Sequence, residues 1–290
     1  YDGVHRGHRI ILSDVVSAAR AMRMTSLLIT FDPHPLEVVA PDRRPQLLQT
    51  RGQKLECLES TGLDAVLILE FDTALAAMTG EVCFEAVLDR CVDLAEVRIG
   101  ENFRFGHDRA GGVELLSSIG ARREFRVTSV PAVEIDGGIV SSSRIRQQIR
   151  EGRVEAAAGM LGRPYTIRGE VSHGDGRGRE LHYPTANLTT RNELLPAHGV
   201  YITEVVTGAS RHAGVTNVGS RPTFRSGGTA VETHLIDFEG NLYGERMEVR
   251  FLARLRDEQR FEDGAELSNQ IARDLAAAEG YFENGRLASL

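Results

Sequence analysis

Four times in its first 130 residues the chain passes from a segment with apolar residues at helical spacing into a short apolar run. Over residues 9–22, Ile10, Ile11, Val15, Val16 and Ala19 recur at the period of a helix, and Ser26-Leu27-Leu28-Ile29-Thr30-Phe31 follows. The pattern returns as 54–60 before 65–69, 81–92 before 96–99, and 112–119 before 125–130. Short apolar strands that alternate with helices pair in parallel, because each crossover helix must cover a face of the sheet. The first half is therefore expected to be a Rossmann-like, doubly wound α/β domain. Its ligands should sit beyond the carboxyl ends of the strands. The sequence opens on a turn-like Asp2-Gly3 after a Tyr1 that is no initiator. A strand ordinarily feeds such a turn, so the domain is expected to be N-terminally truncated with its first strand missing.

The pattern changes near Leu161-Gly162-Arg163-Pro164. Beyond it, turn-rich segments alternate with β-patterned runs at 199–206, 231–238 and 247–255, which predict a small barrel or sandwich. Leu267, Ile271 and Leu275, at i, i+4 and i+8, predict a closing amphipathic helix over 265–281. Two domains follow, 1–160 and 161–290, and 290 residues suffice for each to bury its own core.

The charge balance narrows the function. A net charge of −7 disfavours a nonspecific nucleic-acid binder, and no apolar run is long enough to span a bilayer as a helix. Small phosphorylated ligands fit better than polymers. Cys57, Cys83 and Cys91 are odd in number and lack a CxxC spacing, so neither a disulfide framework nor a zinc site is expected, and a reducing cytoplasm is.

His5-Arg6-Gly7-His8 places two imidazoles around a glycine at the head of the first helix. Unpaired N–H groups there favour anions, and imidazoles add hydrogen bonds to a phosphate gaining charge. Gly7 leaves room for close approach of a nucleotide. Taken alone, the tetrapeptide equally describes two surface histidines. Asp32-Pro33-His34-Pro35 and Gly100-Glu101-Asn102-Phe103-Arg104-Phe105-Gly106 fall in strand-to-helix turns, where ligands gather. Ser141-Ser142-Ser143-Arg144-Ile145-Arg146 offers capping hydroxyls and two arginines; by itself it reads first as an ordinary helix start and second as a grip on polyphosphate.

Together these segments resemble the nucleotidyltransferase module of the bifunctional bacterial riboflavin kinase/FAD synthetases. The family opening Gly-x-Phe-Asp-Gly-x-His-x-Gly-His is matched from Tyr1 to His8, with Tyr1 in place of phenylalanine; Ser143 replaces a threonine. The resemblance implies that His5 and His8 stabilise the phosphates of ATP, that Gly7, Asn102 and Arg104 help hold substrate, and that Ser142 and Arg146 contact phosphate. The implied chemistry is attack of the FMN phosphate on the α-phosphorus of ATP, with pyrophosphate leaving and Mg²⁺ assisting.

In the second half, Gly174-Asp175-Gly176-Arg177-Gly178-Arg179 is a glycine-rich basic loop without the Gly-Lys-Ser/Thr of a Walker motif. Such a loop is either a turn or a phosphate cradle. Thr185 and Asn187 follow, two apart, so that a strand presents both on one face. Period 2 also puts Glu232 and His234 opposite Val231, Thr233 and Leu235; Glu232 then reads either as the solvent side of a strand or as a functional carboxylate.

The order Pro184–Asn187, Gly199-Val200-Tyr201, Asn217–Phe224, Glu232-Thr233-His234, Leu242-Tyr243-Gly244, Leu255-Arg256-Asp257 is similar to that of riboflavin kinases. It implies a compact six-stranded barrel with a C-terminal helix. It also implies phosphate contacts from Gly176 and Arg179, an Mg-ATP site at Thr185 and Asn187, Glu232 as general base, and Arg256 in a loop over the flavin. His182 stands where the family has glycine. Riboflavin, FMN, FAD and ATP are the implied ligands. Other adenylyltransferases of phosphopantetheine or nicotinamide mononucleotide share the histidine motif, but the attached kinase-like half separates this chain from them; class I aminoacyl-tRNA synthetases use a similar motif, and the acidic charge and missing tRNA-binding extensions count against that reading. A flavin-binding remnant with a crippled first domain is the remaining alternative.

Overall fold

The computed structural model describes residues 1–89, 93–174, 183–220 and 228–284. The chain forms two compact units, Tyr1–Gln46 with Arg51–Val140 and Leu47–Thr50 with Ser141–Leu290. Among the described residues no helix is long and apolar enough to cross a membrane.

In the first unit, helix α1 (Arg6–Met22) buries Leu12, Val16 and Ala19, one stripe at helical spacing, and ends at Arg23 in the left-handed region. Strand β1 (Leu27–Asp32), short helix α2 (Pro35–Val39), α3 (Arg51–Glu59) and β2 (Ala65–Glu70) follow. Then come α4 (Thr73–Ala77), α5 (Gly80–Phe84), β3 (Glu96–Gly100), α6 (Val113–Arg123), β4 (Arg126–Val130) and a small hairpin, β5 (Glu134–Ile135) and β6 (Gly138–Ile139). The helix expected over 81–92 is α-helical only to Phe84 and continues as a π-helical turn over Glu85–Asp89.

β1 runs parallel to β2 from Leu27↔Ala65 to Asp32↔Glu70, and β3 parallel to β4 from Glu96↔Arg126 to Gly100↔Val130. Each pair has its own core: Val4, Leu12, Leu28 and Leu58 beside the first, and Phe84, Ile99, Leu116, Ile119 and Phe125 beside the second. Among the described residues no ladder joins β1 to β3, so the parallel architecture is present as two pairs.

The second unit begins with α7 (Ser142–Arg150) and α8 (Val154–Leu161), then the strands β7 (Tyr165–Ser172), β8 (Ala186–Thr190), β9 (Gly199–Thr207), β10 (Ser210–Ser220), β11 (Thr229–Leu235) and β12 (Arg246–Arg256), and closes with α9 (Gly264–Glu283). The six strands close a wholly antiparallel barrel in the order β10-β11-β8-β7-β12-β9. Register shifts between Phe251 and Ala253 and between Arg254 and Arg256 bend β12, which lets one strand pair with both β7 and β9.

Tyr201 and Phe251 fill the barrel edge to face, and beside them runs a buried chain of hydroxyls. Thr216 Oγ1 lies 2.8 Å from Thr203 Oγ1 and 2.9 Å from Thr233 Oγ1. Each hydroxyl thus has a partner and escapes the penalty of an unmade hydrogen bond. On the outside, charges alternate across four strands: Arg168 pairs with Glu248, Glu248 with Arg250, Arg250 with Glu204 and Glu204 with Arg211. Helix α9 starts at an Asp263 cap, whose carboxylate accepts from Glu266 N at 2.8 Å, and packs Ala278, Tyr281 and Phe282 against Ile202 and Leu252.

Candidate active sites

The turn ahead of α1 has positive φ at Gly3 (85°) and at the wholly buried Val4 (39°). A β-branched residue in that region is strained, and such strain persists where the surroundings hold it. The turn delivers His5 as the N-cap of α1. Its Nδ1 accepts from His8 N at 3.4 Å, so an imidazole supplies the acceptor usually contributed by Ser, Thr, Asp or Asn. The His5 and His8 rings stack, centroids 3.6 Å apart and planes 17° apart, with Tyr1 4.5 Å from His8 on centroids. A Cβ at position 7 would lie 3.3 Å from the His5 ring, so Gly7 makes room for this stack.

His8 is half-buried, and its Nδ1 is sealed from solvent with no hydrogen-bond partner among the described residues. Burial holds its pKa well below the usual histidine value, and neighbouring positive charge from His5 and Lys54 adds to this. The N–H groups at this helix head favour a phosphate, and the half-buried His8 imidazole stands beside them.

In the sequence, the position of Lys54 signals only a helix. On α3 its Nζ donates to Thr30 Oγ1 at 2.9 Å, while Arg51, one turn earlier, pairs with Asp32 at 3.3 Å. Two cations thereby reach the carboxyl-end half of β1. Burial pulls the Lys54 pKa down, opposed by Asp2 and Asp32 and reinforced by Arg51.

Asn102 and Arg104 are exposed in the turn after β3, where Arg104 Nη1 donates to the Phe103 carbonyl at 2.8 Å. Ser142 and Arg146 lie on α7, in the second compact unit, whereas His5, His8, Asn102 and Arg104 belong to the first. Ser141, not Ser142, caps α7, accepting from Arg144 N at 3.3 Å, and Arg146 is buried.

In the barrel, strand register gathers a second constellation. Glu232 stands opposite Asn187 on one side and Asn217 on the other, and Asn187 stands opposite Ser172. Residues opposite one another share a face, so Asn217, Glu232, Asn187 and Ser172 form one row across four strands. The row lies on the face away from the hydroxyl chain, because Thr233 beside Glu232 points inward. Sequence period 2 had grouped Glu232 with His234; register adds the cross-strand neighbours.

Asn187 is buried although it faces outward, and Gly174 explains why: a Cβ there would come within 2.1 Å of the Asn187 amide nitrogen. Only glycine lets the chain after β7 pass so close over that amide. Thr185 sits just before β8, half-buried. Its hydroxyl and the Asn187 amide oxygen are hard oxygen donors, the kind Mg²⁺ takes, so the donor set fits that ion. Gly176, Arg179 and His182 fall outside the described residues.

Arg256, which the resemblance places in a loop over the flavin, is anchored to α9. Its guanidinium donates from Nε and Nη2 to both carboxylate oxygens of Asp274 on α9, the shortest at 2.8 Å, and from Nη1 to the Asp257 carbonyl at 3.0 Å. Sequence reasoning had no signal for Asp274, 18 residues further on.

Two family models divide the chain, FAD synthetase over residues 1–144 and riboflavin kinase over 161–282. The bifunctional riboflavin kinase/FMN adenylyltransferase of Escherichia coli (strain K12) is 37% identical over 97% of this chain and 90% of its own length. The chain belongs to the bifunctional riboflavin kinase/FMN adenylyltransferase family. The family's member from Pseudomonas fluorescens is 36% identical over 96% of this chain and 89% of its own length. A crystal structure described as a macrolide-efflux protein from Streptococcus pneumoniae is 30% identical, with a TM-score of 0.89 over 96% of this chain and 91% of that one. As a family member the chain pairs an α/β nucleotidyltransferase with a six-stranded kinase barrel carrying a C-terminal helix. The FAD synthetase match includes Ser142 and stops before Arg146.

Proposed function

We propose that residues 161–290 carry out the kinase step at the Glu232–Asn187 row and that residues 1–160 carry out adenylylation at the His5–His8 stack. The chain makes FAD from riboflavin by way of FMN and uses ATP in both steps. The observation that carries the assignment is the pairing of Glu232 with Asn187 across β11 and β8, beside the close pass of Gly174.

In the kinase step Glu232 takes the proton from the ribityl 5′-hydroxyl as that oxygen bonds to the γ-phosphorus and ADP leaves. Thr185 and Asn187 would hold Mg²⁺, which when bound neutralises charge on the phosphates. Gly176 and Arg179 contribute phosphate contacts, and Arg256 borders the flavin. In the adenylyl step an FMN phosphate oxygen bonds to the α-phosphorus of ATP and pyrophosphate leaves. The phosphate is already anionic, so the protein's part is alignment and charge stabilisation. His5, His8 and Gly7 act at the helix head, with Asn102, Arg104, Ser142 and Arg146 as further substrate contacts. We place these reactions in the cytoplasm.

Flavin products separated by chromatography test the division. Glu232→Gln is expected to abolish FMN formation from riboflavin and to leave adenylylation of added FMN intact. His8→Asn should do the converse. Parallel loss of both activities in either folded variant would overturn the assignment.

A further inference from the structure

The β8–β11 ladder stops one residue short of the Thr185 hydroxyl. Its described pairs are Glu232↔Asn187 and Thr233↔Ala186; continuing the antiparallel register would set His234 against Thr185, but β8 begins at Ala186. A side chain takes over where the backbone ladder ends. His234 Nδ1 lies 2.8 Å from the Pro184 carbonyl oxygen, and the Tyr183 ring stands edge-on to the imidazole, centroids 5.9 Å apart at 84°. A carbonyl only accepts, so Nδ1 carries the proton. Proline has no N–H, which leaves its carbonyl as the one backbone group by which residue 184 can be tied to a neighbouring strand.

We infer that His234 is a positioning residue of the kinase site: its Nδ1–H holds the Pro184 carbonyl and thereby fixes where the Thr185 hydroxyl meets Mg-ATP. The inference rests on the reading of Thr185, Asn187 and Glu232 as the kinase centre. Glu232 and His234 stand two apart on the same face of β11, so one strand both presents the base and clamps the nucleotide-side segment. The imidazole touches no reacting atom in this arrangement. Its effect is on binding of the nucleotide, through the geometry of residues 183–185.

The test uses the whole chain with three variants. Asparagine carries its amide nitrogen near the place of Nδ1, glutamine carries it one bond further out, and leucine has no donor. His234→Leu and His234→Gln should raise KM for MgATP in FMN formation by about three- to tenfold, the range for one lost hydrogen bond. His234→Asn should stay within about twofold of the parent, because it restores the donor. Adenylylation of added FMN should be unchanged in all three, and unfolding temperatures should remain close to the parent's. A normal KM in His234→Leu, or equal damage in His234→Asn and His234→Leu, overturns the inference. Should the leucine variant fail to fold, the contrast between asparagine and glutamine decides. Full kinase turnover in Glu232→Gln would sink the underlying reading, whereas an inactive Glu232→Gln beside a normal His234→Leu sinks this inference alone.

Discussion

His8 sits among like charge with its Nδ1 closed off from water, and so the first unit stabilises its neutral form. An unfolded histidine titrates near pH 6.5, whereas His8 in the fold protonates only at lower pH. Between those two values the unfolded chain binds a proton that the folded chain refuses. The associated stability is therefore complete above about pH 6.5 and is lost as the pH falls from there toward the folded value. Thermal unfolding of the parent should drop in midpoint from pH 7 to pH 5, and His8→Asn should flatten that slope; an identical slope in the variant would count against this account. The histidines and Glu232 were legible in the sequence because each stands in a compact local motif. Lys54 and the Arg256–Asp274 pair were not, since what makes them notable lies across the fold.

Elements differ in the same way. α1, β1, β2, β3, β4 and α9 could be read because each has a clean period, apolar stripe or apolar run. β10 gave no such signal: its inward positions include Gly214 and Thr216, and hydroxyls that find partners only on β9 and β11 look polar in one dimension. The seat of α9 on the barrel depends on Arg256, whose side chain is 17% exposed against 6% for Asp274. Removing one partner of such a pair strands the other charge, a loss of about 3–5 kcal/mol for a buried pair. Asp274→Ala is expected to lower the unfolding free energy of the second unit by an amount near the lower end of that range, as Arg256 keeps some contact with water, and to lower its denaturant midpoint accordingly. A midpoint unchanged by the substitution would mean that apolar packing of Ala278 and Phe282 suffices to hold the helix.

At the scale of the whole molecule, the alternation of helices and short strands announced an α/β half and a β half, and both are present. What a one-dimensional pattern could not announce is that Leu47–Thr50, far inside the first half, belongs to the second unit. Leu48 is wholly buried, and Leu47 N donates to Glu193 Oε2 at 2.9 Å. A fragment starting at residue 141 lacks this segment, and losing one buried leucine with one hydrogen bond removes about 2–4 kcal/mol. Its unfolding temperature should fall several degrees below that of the same unit in the whole chain; equal temperatures would show the segment to be dispensable. The polypeptide passes between the units at three places, after Gln46, Thr50 and Val140. Gene fission after Gln46 divides the first unit, after Val140 takes Leu47–Thr50 from the second, and after Thr50 divides both, so no single cut delivers both units whole and the two halves of this enzyme are expected to resist being inherited apart.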